Sequence, residues 1–135
     1  MYKSVQIIQM ISKVVYPELS YKIVGCLFEV FNELGPDQRE KYYQKALEKE
    51  FTEQKIPFRS QYPVDVKYKN ERLGYNFFDF LIDGKIILEI KSGSYFHRGN
   101  LGQILSYLKL SKLKLGIIAN FTRNGVKFER ILNID

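Results

Sequence analysis

Cysteine is nearly absent from this chain of 135 residues: Cys26 is the only one. No intrachain disulfide and no cysteine-ligated zinc site can form. Cys26 stands in the apolar run Ile23-Val24-Gly25-Cys26-Leu27-Phe28 and reads as a small buried apolar residue. Such cysteine usage suits a reducing, cytoplasmic setting. Histidine is equally scarce, with His97 alone, which argues against a histidine-based metal centre. Gly93-Ser94 is not a nucleophile elbow, so a serine hydrolase has no supporting pattern. No uninterrupted apolar run reaches the ~18 residues of a membrane span. The mildly apolar stretch from Met1 to Val15 is interrupted by Gln6, Gln9 and Lys13 and lacks the apolar core and cleavage site of a signal peptide. It is set apart as an unassigned extension, residues 1–15. Internal repeats, low-complexity tracts, a P-loop and a dinucleotide fingerprint are also lacking.

What is present describes a folded chain. Hydrophobic residues make up 45% and charged residues 27%, outside the composition of intrinsic disorder. Ten Tyr and ten Phe supply a bulky core in the absence of Trp. A chain this long buries roughly two-thirds of its unfolded surface, enough for one domain, placed at residues 16–135. Lys and Arg number 21 against 15 Asp and Glu, a formal charge of +6. That leans toward a polyanionic partner, although the excess is scattered.

Hydrophobic spacing orders the elements. Ser20 is a candidate cap for a helix reaching about Leu34, with Ile23, Leu27, Phe31 and Leu34 on one stripe. Gly35-Pro36 ends it, and Pro36 suits the first turn of a second helix. That helix, with the stripe Tyr43, Ala46, Leu47 and Phe51, is closed by Ile56-Pro57. The period then drops to two. Val64, Val66 and Tyr68 predict a half-buried strand, Lys69-Asn70-Glu71-Arg72 a turn, and residues 74–82 and 85–91 two more strands. A polar loop from Ser92 to Asn100 precedes a third helix marked by Leu101, Ile104, Leu105 and Leu108. Strands over 115–120 and 126–132 follow. The order α-α-β-β-β-α-β-β predicts an α/β fold, a mixed sheet flanked by helices, with a parallel crossover through the third helix.

The most informative segment runs from Phe77 to Lys91. Side chains alternate faces along a strand. Phe78, Phe80 and Ile82, and then Ile86, Leu88 and Ile90, are all apolar at even positions. The odd positions mix Asp79, Glu89 and Lys91 with apolar residues. Even must pair with even if the apolar sets share a face, which demands an odd loop; Ile82-Asp83-Gly84 suits a three-residue bulged turn. A two-residue turn would put Asp79 among Ile86, Leu88 and Ile90, desolvated and unpartnered, at a cost of several kcal/mol. The odd loop gathers Asp79, Glu89 and Lys91 on one face. An ion pair is one use for such a cluster, though buried pairs add little net stability. A hard-cation site is the other. Two close carboxylates repel unless a cation sits between them, and Mg2+ takes oxygen ligands from one or two carboxylates. Next to a phosphate it would activate water and neutralise the leaving oxygen, with Lys91 steadying the developing negative charge.

Asp79, followed by Glu89-Ile90-Lys91, resembles the D…(D/E)xK signature of the PD-(D/E)xK nuclease superfamily. Gln103-Ile104-Leu105-Ser106-Tyr107 resembles the QxxxY helix motif of its RecB-like branch. Asp37-Gln38-Arg39-Glu40-Lys41-Tyr42-Tyr43 resembles the motif naming the GxxExxY protein family. The likeness covers roughly residues 16–132 and implies a restriction-endonuclease-like fold. It departs at Asp37, where the motif has Gly. A glycine there could serve close approach or a special backbone angle, and the extra carboxylate could join the metal site or favour the helix N-terminus.

The resemblance implies an enzyme with Mg2+ (or Mn2+) as cofactor and nucleic acid, DNA first, as substrate. Asp79, Glu89 and Glu40 would be metal carboxylates, Ile90 would lend its backbone carbonyl, and Lys91 would be the electrostatic catalyst. Glu50 shares nearly the same helix side as Glu40 but has no motif behind it. Gln103 and Tyr107, one helical turn apart, would position substrate. His97 reads as a solvated loop residue, while Tyr95 or Phe96 beside it could stack on a base. Two other readings are a non-catalytic module that keeps the nuclease fold to bind nucleic acid or a partner protein, and a homo-oligomer with no nucleic-acid role. A homodimer or partner protein would enlarge the surface a domain this small can offer to DNA.

Overall fold

The structure, a computed structural model, describes residues 15–94 and 101–134. The loop residues Tyr95, Phe96, His97 and Arg98 and the extension up to residue 14 lie outside the described residues. Helix α1 spans Pro17–Leu34 and α2 spans Glu40–Glu53. Strands β1 (Phe58–Tyr68), β2 (Glu71–Ile82) and β3 (Ile86–Ser92) follow, then α3 (Leu101–Ser111), β4 (Leu115–Thr122) and β5 (Gly125–Leu132). This is the expected α-α-β-β-β-α-β-β order. Among the described residues no helix is long and apolar enough to cross a membrane.

The helix starts differ from the sequence reading. Pro17 opens α1, as its missing N–H and fixed φ favour. Ser20 lies buried in the first turn, its N–H on the Tyr16 carbonyl at 2.9 Å. The second helix begins at Glu40 rather than Pro36, because Asp37 takes a left-handed φ of 64° that no α-helix accommodates. Residues 35–39 form a pinned connector instead.

One five-stranded sheet has the order β1-β2-β3-β4-β5. Only β3 and β4, joined through α3, run parallel. The odd loop is present. Ile82 pairs with Ile86, Leu81 with Ile87 and Phe80 with Leu88, even against even. The turn is Asp83-Gly84-Lys85, one residue later than expected, because Asp83 and Gly84 both take the left-handed conformation (φ 51° and 64°) and leave Ile82 paired. The earlier turn uses two residues, Lys69 and Asn70, both left-handed (φ 50° and 65°), a geometry matched to strand twist.

Both sheet faces are covered. Ile23, Leu27, Tyr43, Leu47 and Phe51 of α1 and α2 pack on Phe80, Ile82, Ile86, Leu88 and Ile90. On the other face Ile104 and Leu108 of α3 pack on Ile87, Leu81 and Ile118. Phe78 breaks the alternation predicted for it, joining the α3 face. The cause lies across the ladder. Ser60 pairs with Phe80 and Tyr62 with Phe78, while Gln61 between them takes a left-handed φ of 50°. That kink swaps the faces of the β1–β2 pair at the level of Asp79. Beyond it the pair projects as a two-stranded ribbon, so Val66 and Tyr68 are exposed rather than half-buried.

Candidate active site

The ladder between β2 and β3 stops at Phe80 and Leu88, yet β3 continues against β4 as far as Ser92. A strand that loses its neighbour leaves backbone N–H groups that need acceptors. Carboxylates supply them here. The Asp79 N–H donates to Glu89 Oε1 at 2.6 Å. The Ile90 N–H donates to Asp79 Oδ2 at 2.8 Å, and two residues on, from the same strand edge, the Ser92 N–H donates to Glu40 Oε1 at 3.2 Å. The structure thus brings Asp79 and Glu40 to one opening, with Glu89 buried behind them on the Asp79 N–H. It corrects the expectation of a shared face: Asp79 and Glu89 meet in the gap between parted strands, because the free N–H groups lie in the sheet plane.

Asp79, Glu40 and Ile90 line a cavity of about 340 Å³ together with Gln61 and Gln44. The exposed lysines Lys41 and Lys45 border it. Glu89 is buried and reaches Asp79 through the backbone. Burial pushes the Asp79 carboxyl above its ordinary range, and the negative charge of Glu40 adds to the rise. The Ile90 N–H, the Lys91 ammonium and Gln61 pull the other way without cancelling it. A carboxyl crowded by another carboxylate marks a position where positive charge is favoured.

No group of three or more acidic, histidine or cysteine side chains among the described residues stands close enough together to hold a metal ion. The donors fit a smaller set. A Mg2+-like ion takes one or two carboxylates and keeps several waters, and Asp79 with Glu40 offers that number at the cavity. In an extended strand the N–H and C=O of one residue leave by the same edge, so the Ile90 carbonyl faces the opening where Asp79 holds its N–H. Lys91, half-buried, follows on the same strand and lies near enough to act on the Asp79 charge.

The helix pair is less directly placed. Tyr107 packs its ring on Phe78 (5.3 Å between centroids) and Tyr62 (6.2 Å), the neighbours of Asp79 and Gln61 on the α3 face. Burial and Tyr62 push its phenol above the ordinary range. Gln103 is exposed one turn earlier. Glu50 faces the groove between α1 and α2 with Glu29 and Glu33, away from Asp79, which separates it from Glu40.

Two polar residues of the site were not anticipated. Gln44 is buried and donates from Nε2 to the Asp79 carbonyl at 3.2 Å; its place four residues after Glu40 was the available signal. Gln61 hydrogen-bonds the Asp79 side chain, and nothing in the local sequence announces its left-handed backbone. Tyr43, the last residue of the upstream motif, is a clamp. Its hydroxyl donates to the Gly35 carbonyl at 2.6 Å and accepts the Gln38 N–H at 3.3 Å, and its ring stacks on Phe121 at 4.0 Å. Ser92 Oγ donates to the Gln38 carbonyl at 2.8 Å. These contacts fix the connector that delivers Glu40.

Comparison with known proteins agrees with this arrangement. No curated protein matches the sequence. Among solved structures, the crystal structure of SSO0001 is similar with a TM-score of 0.50 and 16% identity, covering 90% of this chain and 59% of that one. The chain therefore spans 59% of the length of SSO0001, and the likeness is one of fold. A family model for the PD-(D/E)XK nuclease superfamily matches residues 17–131, from the start of α1 into β5, taking in Glu40, Asp79, Glu89 and Lys91. That match spans most of the chain, its mixed sheet and element order are consistent with the fold, and the chain belongs to the PD-(D/E)XK nuclease superfamily.

Proposed function

We propose that this chain is a nuclease that hydrolyses phosphodiester bonds of nucleic acid, DNA in particular, with Mg2+ or Mn2+. The observation that carries the reading is the parting of β2 from β3, whose freed backbone N–H groups at Asp79, Ile90 and Ser92 engage Glu89, Asp79 and Glu40 beside Lys91. Asp79, Glu40 and the Ile90 carbonyl would hold the ion, with the buried Glu89 steadying Asp79 through its backbone N–H. When bound, it would lower the pKa of an attacking water and neutralise charge on the leaving oxygen. Lys91 holds its ammonium where negative charge grows on the phosphate as the water oxygen bonds to phosphorus and the ester P–O bond breaks. Lys41 and Lys45 draw the phosphate to the cavity, and Gln103 and Tyr107 steady the strand from the α3 side.

The finer family assignment rests on the connector. The left-handed φ of 64° at Asp37 occupies the position where the GxxExxY motif has glycine, and Asp tolerates that conformation better than most residues. This supports membership of the GxxExxY group and, with Gln103 and Tyr107, of the RecB-like branch. The single sheet covered on both faces supports one domain over residues 16–135, and the buried free Cys26 is in keeping with a reducing cytoplasm.

The test is cleavage of single- and double-stranded DNA and RNA with and without Mg2+, with Lys91→Ala as control and calorimetric Mg2+ or Mn2+ titration of wild type and Asp79→Ala. Metal-dependent cleavage abolished in Lys91→Ala, with ion binding weakened in Asp79→Ala, is the expected result. Cleavage that survives Lys91→Ala, or equal ion binding, defeats it. One observation favours a second reading, a non-catalytic binding module: all three carboxylates are already engaged by backbone N–H groups. Tight nucleic-acid binding without cleavage selects that reading. Absence of binding even at low ionic strength, where a +6 chain binds best, leaves only an oligomer without a nucleic-acid role.

A further inference from the structure

Among the described residues, Glu71 to Asp79 of β2 has β1 as its only strand neighbour, since β3 meets β2 at Phe80, Leu81 and Ile82 alone. This ribbon carries five of the ten large hydrophobic side chains exposed among the described residues. An exposed apolar cluster of this kind calls for a ligand. Phe78 turns toward α3, so alternation along β2 sends Tyr75 and Phe77 to the opposite side. Asp79, two residues beyond Phe77 at the point where the faces swap, opens into the cavity. Tyr75 and Phe77 are 50% and 51% exposed, with rings edge to face at 5.1 Å. The Arg72 guanidinium lies over Tyr75 at 4.7 Å. Four basic side chains against two acidic ones lie between Phe58 and Phe78, and one of those acids, Asp65, is paired with Arg72.

We infer that this face of the β1–β2 ribbon is a stacking platform for the unpaired bases of single-stranded nucleic acid, leading the strand into the Asp79 cavity; the inference rests on the nuclease reading above. Aromatic rings stack on any base, so such a platform needs no sequence. Same-side residues on a strand stand about 6.8 Å apart, twice the 3.4 Å step of bases along a duplex strand. The spacing suits bases drawn apart from one another and not a stacked duplex, whose ring faces are covered. The occupant is polyanionic, the ribbon is net basic, and the rings lead along β2 toward Asp79, the residue proposed to hold the metal ion.

The test is fluorescence anisotropy with a labelled oligothymidylate and a duplex of equal length, in EDTA so that nothing is cleaved. Wild type, Tyr75→Ser with Phe77→Ser, and Arg72→Gln are compared, with thermal melts to show that each variant folds. The wild type is expected to prefer the single strand. Loss of both rings weakens single-strand binding by about tenfold or more and leaves duplex binding within about twofold. Arg72→Gln lowers single-strand affinity and makes its salt dependence shallower. Unchanged single-strand binding without the rings, or tighter binding of duplex by the wild type, overturns the inference. So does a wild-type dimer in sedimentation that dissociates when the rings are removed, which would assign the face to a second copy of the chain. Cleavage with Mg2+ is scored separately. Intact cleavage with the binding pattern absent defeats the platform alone, and the binding pattern without cleavage defeats the nuclease reading alone.

Discussion

Removing one oxygen atom, in Tyr43→Phe, isolates what the upstream motif does. The side chain is fully buried, and its hydroxyl sits between the Gly35 carbonyl at 2.6 Å and the Gln38 N–H at 3.3 Å. Phenylalanine keeps the ring and its stack on Phe121, so no cavity opens. The cost is the short bond to Gly35, with a carbonyl and an N–H left in search of partners. Both lie in half-buried backbone that water partly reaches, which places the loss at about 1–2 kcal/mol. An unfolding entropy of about 2.1 cal/mol/K per residue sums to roughly 0.28 kcal/mol/K for this chain. Tm should therefore fall by about 4–7 °C in a circular-dichroism melt. Because the loosened connector leads directly to Glu40, metal-dependent cleavage assayed well below both melting points should fall by a smaller factor than in Lys91→Ala. An unchanged Tm refutes the clamp. Full loss of cleavage with an unchanged Tm refutes it differently, by making the hydroxyl part of the chemistry.

Asp79→Asn should stabilise the protein at neutral pH in EDTA while abolishing cleavage, since an amide still accepts the Ile90 N–H at the position of Oδ2 without a buried charge facing Glu40. A raised carboxyl holds its proton more tightly folded than unfolded, so wild-type stability falls as pH rises through the folded pKa. The advantage of the variant should thus be small in acid and grow to a plateau above that titration; urea unfolding at several pH values checks it, and a variant less stable at pH 7 contradicts it. Gly116→Ala should destabilise by about 1–3 kcal/mol. The new Cβ would stand 2.8 Å from Ile104 Cγ2, on a stiff β-branched side chain, and α3 must give way. An unchanged urea midpoint would show that the α3 packing yields freely.

Much of the hairpin was legible beforehand. The pairing of Ile82 with Ile86 follows from parity alone, because the competing register would strand a carboxylate among apolar side chains. Phe78 was misread on the same rule, since alternation holds only while a strand is regular, and the left-handed Gln61 sits on the neighbouring strand, out of local view. Glu40 and Glu50 were separable by motif only; their different surroundings depend on how α2 lies across β3.

By itself, then, the order of residues determined the succession of helices and strands, the odd length of the turn between β2 and β3 and the residue types able to hold a hard cation, because periodicity and desolvation act over a few neighbours. Tertiary structure alone decided that β2 leaves β3 at Asp79, that Glu40 arrives on the Ser92 N–H, and that Tyr75 and Phe77 stay uncovered. Those outcomes depend on which backbone groups lose their partners when distant segments meet, and no local stretch of sequence carries that information.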